Sequence, residues 1–421
     1  MNYNTSEDCL YLNIWTPVDE HSLKPVIVYI HGGVFVYMGT SFDIFNGAVV
    51  SSLGDVVFVT INYRLGVFGF LDTGSQYDDS NLGDTLNNLG LYDQIMALSF
   101  IKDNIKSFGG DPNSITLMGQ SAGAISIGLL MSSPMASHLF HRAILESASP
   151  MQMKFFFEIS KNNYKRVLQL TNCSENGIKI KQIQCLRQLP ENQLNAIHKV
   201  LMNNTFLSFS PTIPSHMFGQ FPREAFDVDM ADNEIQQKQI LIGIYFTFKS
   251  PSLFDKTHIT GANANEGSLF LHQIRPKQFP LEALPQIDRN GIKQLFLEFG
   301  SGFQNLSDKQ IETMIETFGI NGDNPSDIRQ QLTAIIGDFL FKCPVLKFAD
   351  SLSEWSNVTL YMYYFTESSG HLPKWVGSSH FEEVQFVFGL PYRYPHKYST
   401  KQKEFTKRLI KTWTHFARNG Y

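Results

Sequence analysis

The 421-residue chain has no run of about 20 consecutive apolar residues, which excludes a membrane-spanning helix. It holds only four cysteines, and no His, Cys or Asp cluster has the spacing of metal ligands. A Gly-rich phosphate loop is also missing, so neither a metal nor an organic cofactor is expected. Charged residues make up 17% of the chain and the net charge is −5, which gives no reason to expect nucleic acid as a partner. There is no Pro/Ser-rich linker, charge block or internal repeat to divide the chain, so residues 1–421 read as one domain. Met1-Asn2-Tyr3-Asn4 opens directly into polar residues without the apolar core of a signal peptide.

At 43% hydrophobic residues, the chain has enough apolar side chains for a large core. Apolar runs at Val26–Ile30, Val56–Ile61, Ile115–Met118, Ala143–Leu145 and Thr359–Tyr364 read as strands. They alternate with helical patterns such as Leu91–Ile105, Ile335–Phe348 and Lys403–Ala417. That alternation predicts an α/β fold, a mostly parallel sheet with helices on both faces. Residues 151–237, rich in Asn, Gln and Phe, lack it and read as a helical cap and wall over the site. Phe155, Phe156 and Phe157 there either line an acyl pocket or simply pack the core.

The strongest chemical signal is Gly119-Gln120-Ser121-Ala122-Gly123, placed between the run Ser114–Met118 and a second apolar stretch, Ala124–Met131. Strand, sharp turn and helix put the Ser121 hydroxyl at the apex of a strained elbow at the carboxyl end of a strand, where open α/β sheets bind ligands. An acyl-transfer serine also needs donors for an oxyanion. His31-Gly32-Gly33, directly after Pro25–Ile30, supplies a turn whose backbone can approach a substrate closely. Its N–H groups, at Gly33 and Val34, would act together with the N–H of Ala122.

These motifs carry a resemblance over nearly the whole chain to the type-B carboxylesterase family, the cholinesterase-like branch of the α/β-hydrolases. It rests on Ser6-Glu7-Asp8-Cys9-Leu10-Tyr11-Leu12-Asn13-Ile14-Trp15, on Asn62-Tyr63-Arg64-Leu65-Gly66-Val67-Phe68-Gly69-Phe70, and on Asn88-Leu89-Gly90-Leu91-Tyr92-Asp93-Gln94. Phe108-Gly109-Gly110-Asp111-Pro112 then leads into the elbow. The resemblance implies Glu266, in Asn263-Ala264-Asn265-Glu266, as the acid of a triad and His380, in Gly377-Ser378-Ser379-His380, as its base. The expected chemistry is hydrolysis of small-molecule carboxylic esters through an acyl-serine. The alternative is a silent adhesion or interaction protein of the same fold, or an inactive truncated esterase. Oligomeric state leaves no mark in the sequence.

The same resemblance implies a structural ion pair between Arg64 and Asp93 and a disulfide between Cys173 and Cys185; four free thiols in a cytosolic protein is the alternative. Ser149 resembles a serine that bonds near the acid and base, or is a plain strand-end serine. Gln120 replaces the Glu of cholinesterases, so an anionic charge is lacking beside Ser121 and acylcholine substrates are disfavoured. Val34 replaces a glycine, which is acceptable if its φ stays negative. Relatives extend further at both ends, which implies a chain short at both termini, with Cys9 and Cys343 orphaned. Secretion is expected from the resemblance and, weakly, from Asn-x-Ser/Thr sequons at Asn4, Asn172, Asn203, Asn305 and Asn357. Gln239–Gly243 reads as the strand before the acid segment, with residues 244–260 intervening as a surface loop or as the product of a gene-model error, in which case Glu266 would be displaced.

Overall fold

The computed structural model of the protein describes residues 5–18, 22–73, 87–174, 178–204, 208–212, 257–285, 287–301, 307–320, 324–353 and 359–421. Seven strands form one sheet: β1 (Leu12–Trp15), β2 (Lys24–Ile30), β3 (Val57–Ile61), β4 (Gly110–Gln120), β5 (Arg142–Glu146), β6 (Thr257–Asn263) and β7 (Thr359–Phe365). Their order is β1-β3-β2-β4-β5-β6-β7. Only β1 runs antiparallel to its neighbour; every other pairing is parallel.

The continuous apolar runs of β2 and β3 are explained by cover on both faces. Val26, Val28 and Ile30 join one core cluster with Leu91, Leu98 and the helix Ala122–Met131. Ile27 and Tyr29 point the other way, into a cluster with Phe45, Phe388, Leu409 and Trp413. Helix Ala122–Met131 is buried along its whole length, consistent with an element apolar all round. A third cluster, around Phe270, Ile315, Leu332 and Phe341, packs the helices beyond β6. Among the described residues, no helix is long and apolar enough to cross a membrane.

Two boundaries differ from expectation. The strand before Asn265 and Glu266 is Thr257–Asn263, which runs directly into them, so Thr257–Thr260 are sheet residues and not part of a surface loop. Pairing with β5 and β7 on its two sides overrides its weak apolar pattern. Gln239–Gly243 and residues 244–256 lie outside the described residues, as do Asn4, Asn305 and Asn357. The helix expected over Ile335–Phe348 is two helices, Pro325–Gly337 and Cys343–Ser353, joined by a π-helical turn at Asp338–Lys342. Pro344 lacks an N–H and cannot continue the ordinary ladder, so a wide turn precedes it.

The region 151–237 is helical where described, at Met153–Thr171, Lys179–Arg187 and Glu191–Asn204. The side chains of Phe155, Phe156 and Phe157 are outside the described set. Cys173 and Cys185 form a disulfide, while Cys9 and Cys343 are free.

Candidate active site

Strand β4 ends at Gln120 and helix Ala122–Met131 begins two residues later, so Ser121 alone makes the turn. It does so at φ 56°, ψ −123°, a strained conformation for a residue with a Cβ. Two backbone bonds hold it: Ser121 N–H donates to Glu146 O at 2.8 Å, and Ile125 N–H donates to Ser121 O at 3.0 Å. The elbow needs its glycines, because a Cβ on Gly123 would overlap the Ile30 carbonyl. Ser121 itself keeps partial exposure.

The turn after β2 lies against this elbow. A Cβ on Gly32 would sit 2.6 Å from Gln120 O and 3.0 Å from the Ser121 Cβ. Among the described residues, the N–H groups of Gly33, Val34 and Ala122 donate no hydrogen bond, which leaves three backbone donors free around Ser121. The expectation of a negative φ at Val34 is not met. Val34 has φ 57° and Phe35 φ 62°, following Gly33 at φ 96°. The cause is the tightness of the turn, in which the N–H groups of Val36 and Tyr37 both donate to Gly33 O and Gly66 N–H donates to Phe35 O.

Glu266 and His380 arrive from two loops laced together by backbone. Asn265 N–H donates to Ser378 O at 2.9 Å and Ser378 N–H to Asn265 Oδ1 at 3.1 Å. His380 Nδ1 then lies 2.7 Å from Oε2 of a fully buried Glu266, whose Oε1 accepts Asn263 N–H at 2.7 Å. A carboxylate only accepts, so Nδ1 carries the imidazole proton and Nε2 is left with its lone pair. Phe341, from the π-helical turn, packs on the ring at 4.3 Å between centroids. Glu266 therefore stands beside His380 and is not displaced from it.

His380 Nε2 meets the Gln120 side-chain amide at 3.3 Å. Among the described residues, that is the hydrogen bond made at Nε2, and Ser121 Oγ makes none. Gln120 is thus a direct neighbour of the imidazole as well as of the serine.

Ser149 lies elsewhere. Its hydroxyl caps the turn Pro150–Gln152, accepting from Met151 N–H and bonding Gln152 Oε1 and Pro344 O, so of its two readings the strand-end serine is the one observed. Ser147, two residues earlier, is the serine that bonds a carboxyl group behind His380, its Oγ donating to Glu383 Oε1 at 3.3 Å. Asn263 Nδ2 also donates to Glu383 and, at 2.7 Å, to Ser379 O. Sequence reading missed Ser147, Asn263 and Glu383. The only local signal was the acidic pair Glu382-Glu383 directly after the histidine.

Behind the imidazole, then, lie three buried carboxyl groups. Burial, reinforced by the charge of Glu266, pushes the Glu383 carboxyl up to about 7. Burial and repulsion from Glu383 raise Glu146 well above the carboxylate range, although Trp413 Nε1 donates to it at 2.7 Å. Next to the turn after β2, burial pulls His31 down to about 4 and keeps its ring neutral, stacked on Tyr63 at 4.5 Å. Arg64 grips Asp93 with two side-chain bonds of 2.7 Å and a backbone bond of 3.0 Å, a bidentate clamp tying the chain after β3 to helix Leu89–Asn104.

The chain matches the carboxylesterase family over residues 1–421. The chain belongs to the carboxylesterase family. Its mostly parallel sheet with helices on both faces is the α/β-hydrolase fold of that family. It is 32% identical over 429 residues to Acetylcholinesterase-1 of Trittame loki, which covers 98% of this chain and 71% of that protein. It is also 32% identical over 428 residues to the Cholinesterase of Mus musculus, covering 100% of this chain and 66% of that protein. The chain therefore spans about two thirds of the length of these relatives.

Proposed function

We propose that this member of the carboxylesterase family is a carboxylic-ester hydrolase that works, as one domain, through an acyl-serine intermediate. Ser121 is the nucleophile, His380 the base and Glu266 the acid. The observation that carries the reading is the Glu266–His380 bond, which fixes the Nδ1–H tautomer and leaves Nε2 free to take a proton on the side of the elbow.

Ser121 Oγ attacks the ester carbonyl as its proton passes to His380 Nε2, which requires the Gln120 amide to yield its place there. Such bonds commonly tighten only when substrate binds. The carbonyl oxygen becomes an oxyanion held by the N–H groups of Gly33, Val34 and Ala122, each such donor being worth about 10²–10³ in rate. Val34 keeps a free N–H because the turn holds it in the left-handed conformation a glycine would take, at the cost of backbone strain. His380 returns the proton to the leaving alcohol, the acyl group stays on Ser121, and water repeats the sequence to release the acid. Every proton and charge in this cycle is handled by side chains and backbone.

Gln120 is neutral, so the residue preceding the nucleophile offers no carboxylate to attract a cationic acyl-alcohol; uncharged esters are the favoured class. The Cys173–Cys185 disulfide supports an oxidising, extracellular setting.

The experiment is turnover of p-nitrophenyl butyrate and labelling by an organophosphate, wild type against Ser121→Ala. Wild type is expected to be turned over and labelled, and the variant to show neither. Full labelling of the folded variant would remove Ser121 from the nucleophile's role.

A further inference from the structure

We propose that the outer face of the C-terminal helix Thr400–Asn419 is a docking surface for a linear sulfated polysaccharide. Residues 393–418 hold eight of the chain's 34 basic residues and one, Glu404, of its 39 acidic residues. In a chain of net charge −5, this leaves one strongly cationic strip on a body with excess acid. The linear sequence hides it because apolar residues are interleaved at helical spacing.

The helix sorts the two sets. Thr406, Leu409, Ile410, Trp413, Phe416 and Ala417 are buried against the sheet and its helices. Lys401, Lys407, Arg408, Lys411, His415 and Arg418 are exposed. At 3.6 residues per turn, these six fall within an arc of about 120°, which also holds the exposed Glu404 as its one acidic residue, and from Lys401 to Arg418 the strip runs about 26 Å. The cations at its borders are already engaged. Arg418 reaches Asp55 and the Gly54 carbonyl, Arg393 holds Asp43, and Lys397 and Lys403 lie over Tyr394 and Tyr392. In contrast, Lys401, Lys407, Arg408 and Lys411 make no ion pair among the described residues. Like charges held side by side without partners are destabilising, and a polyanion laid along the helix removes that repulsion while releasing its own counterions.

Three observations select the polyanion. The disulfide places the chain where extracellular polyanions, and not nucleic acid, are encountered. The apolar residues of this helix face inward, so a bilayer would gain no apolar anchor from it. The exposed cations form a line instead of a pocket, which suits an extended chain of sulfates better than a single small anion.

The test is retention on immobilised heparin against a salt gradient, beside a sulfonate cation exchanger of matched capacity. Wild type is expected to elute from heparin well above physiological ionic strength of about 0.15 M, and later than from the exchanger. Lys407→Glu/Arg408→Glu/Lys411→Glu is expected to elute below it, with wild-type thermal midpoint and ester turnover. The control Lys106→Glu/Lys277→Glu/Lys309→Glu makes the same charge change at exposed positions elsewhere and is expected to stay on heparin. The proposal is overturned if wild type passes through heparin, if it elutes alike from heparin and exchanger, or if the control loses retention as fully as the strip variant. Strip-dependent binding to anionic vesicles without binding to heparin would equally overturn it.

Discussion

His380 Nδ1 is 2.7 Å from Oε2 of Glu266, and the second oxygen of that carboxylate is held at 2.7 Å by the Asn263 N–H. Both partners are donors, so the group between them must accept on both oxygens. Glu266→Gln has only one accepting oxygen and must either face its amide against the Asn263 N–H or turn it toward His380, which drives the imidazole proton to Nε2. The expected loss in kcat/KM is about 10³–10⁴ with the fold retained, and p-nitrophenyl ester kinetics beside a thermal melt would measure both.

Gln120 presents a neutral amide to His380 Nε2 at 3.3 Å. Gln120→Glu would put a carboxylate there, partly offset by its own burial. The charge favours imidazolium, so the acid limb of the kcat/KM profile is expected to move to higher pH than in wild type. Cationic esters should gain relative to neutral ones. A profile that superimposes on wild type would show that Gln120 does not sense the imidazole.

The parts of this molecule written locally were legible in its sequence. Strand β2 is a run of apolar residues because both of its faces are covered, and the elbow is two glycines around a serine because a Cβ at Gly123 meets the Ile30 carbonyl. What escaped depended on neighbours far along the chain. Thr257–Asn263 has little apolar signature and is a strand because β5 and β7 flank it. Ser147 and Ser149 look interchangeable, yet a left-handed φ of 59° at Ser147 aims that one at Glu383 while Ser149 caps the next turn. Glu382-Glu383 reads as a solvated acidic pair at a helix start, and only tertiary packing buries it beside the site.

Glu383 is held protonated to about pH 7 by burial and by the Glu266 charge, with Glu146, His380, Tyr29 and Tyr363 also in its electrostatic surroundings. Its value lies above the ordinary 4.5, so the folded protein keeps a proton that the unfolded chain has already released. Its contribution to stability is therefore complete below about pH 4.5 and is lost as pH rises through about 7. Glu383→Gln keeps an acceptor for Asn263 Nδ2 and removes the charge. Calorimetry is expected to give the variant a thermal midpoint near that of wild type at pH 4.5 and above it at pH 8. The opposite ordering at pH 8 would mean that the ionised carboxylate stabilises the fold.

Gly123 is the tightest point of the elbow. Its missing Cβ leaves room for the Ile30 carbonyl at the end of β2, and that carbonyl cannot retreat because β2 is hydrogen-bonded on both sides, to β3 and β4. Gly123→Ala must therefore move helix Ala122–Met131 away from the sheet, opening a gap under a helix buried along its length. Overpacking of a fixed site commonly costs about 1–3 kcal/mol, and contact with backbone puts this site at or above the top of that range. Moving the helix start also carries the Ala122 N–H away from the place proposed for it at the oxyanion, so activity is expected to fall further than the folded fraction does. Urea denaturation gives the first quantity and turnover per folded molecule the second. A variant with a wild-type urea midpoint and full turnover would show that the close approach of Gly123 to Ile30 is not what shapes the elbow.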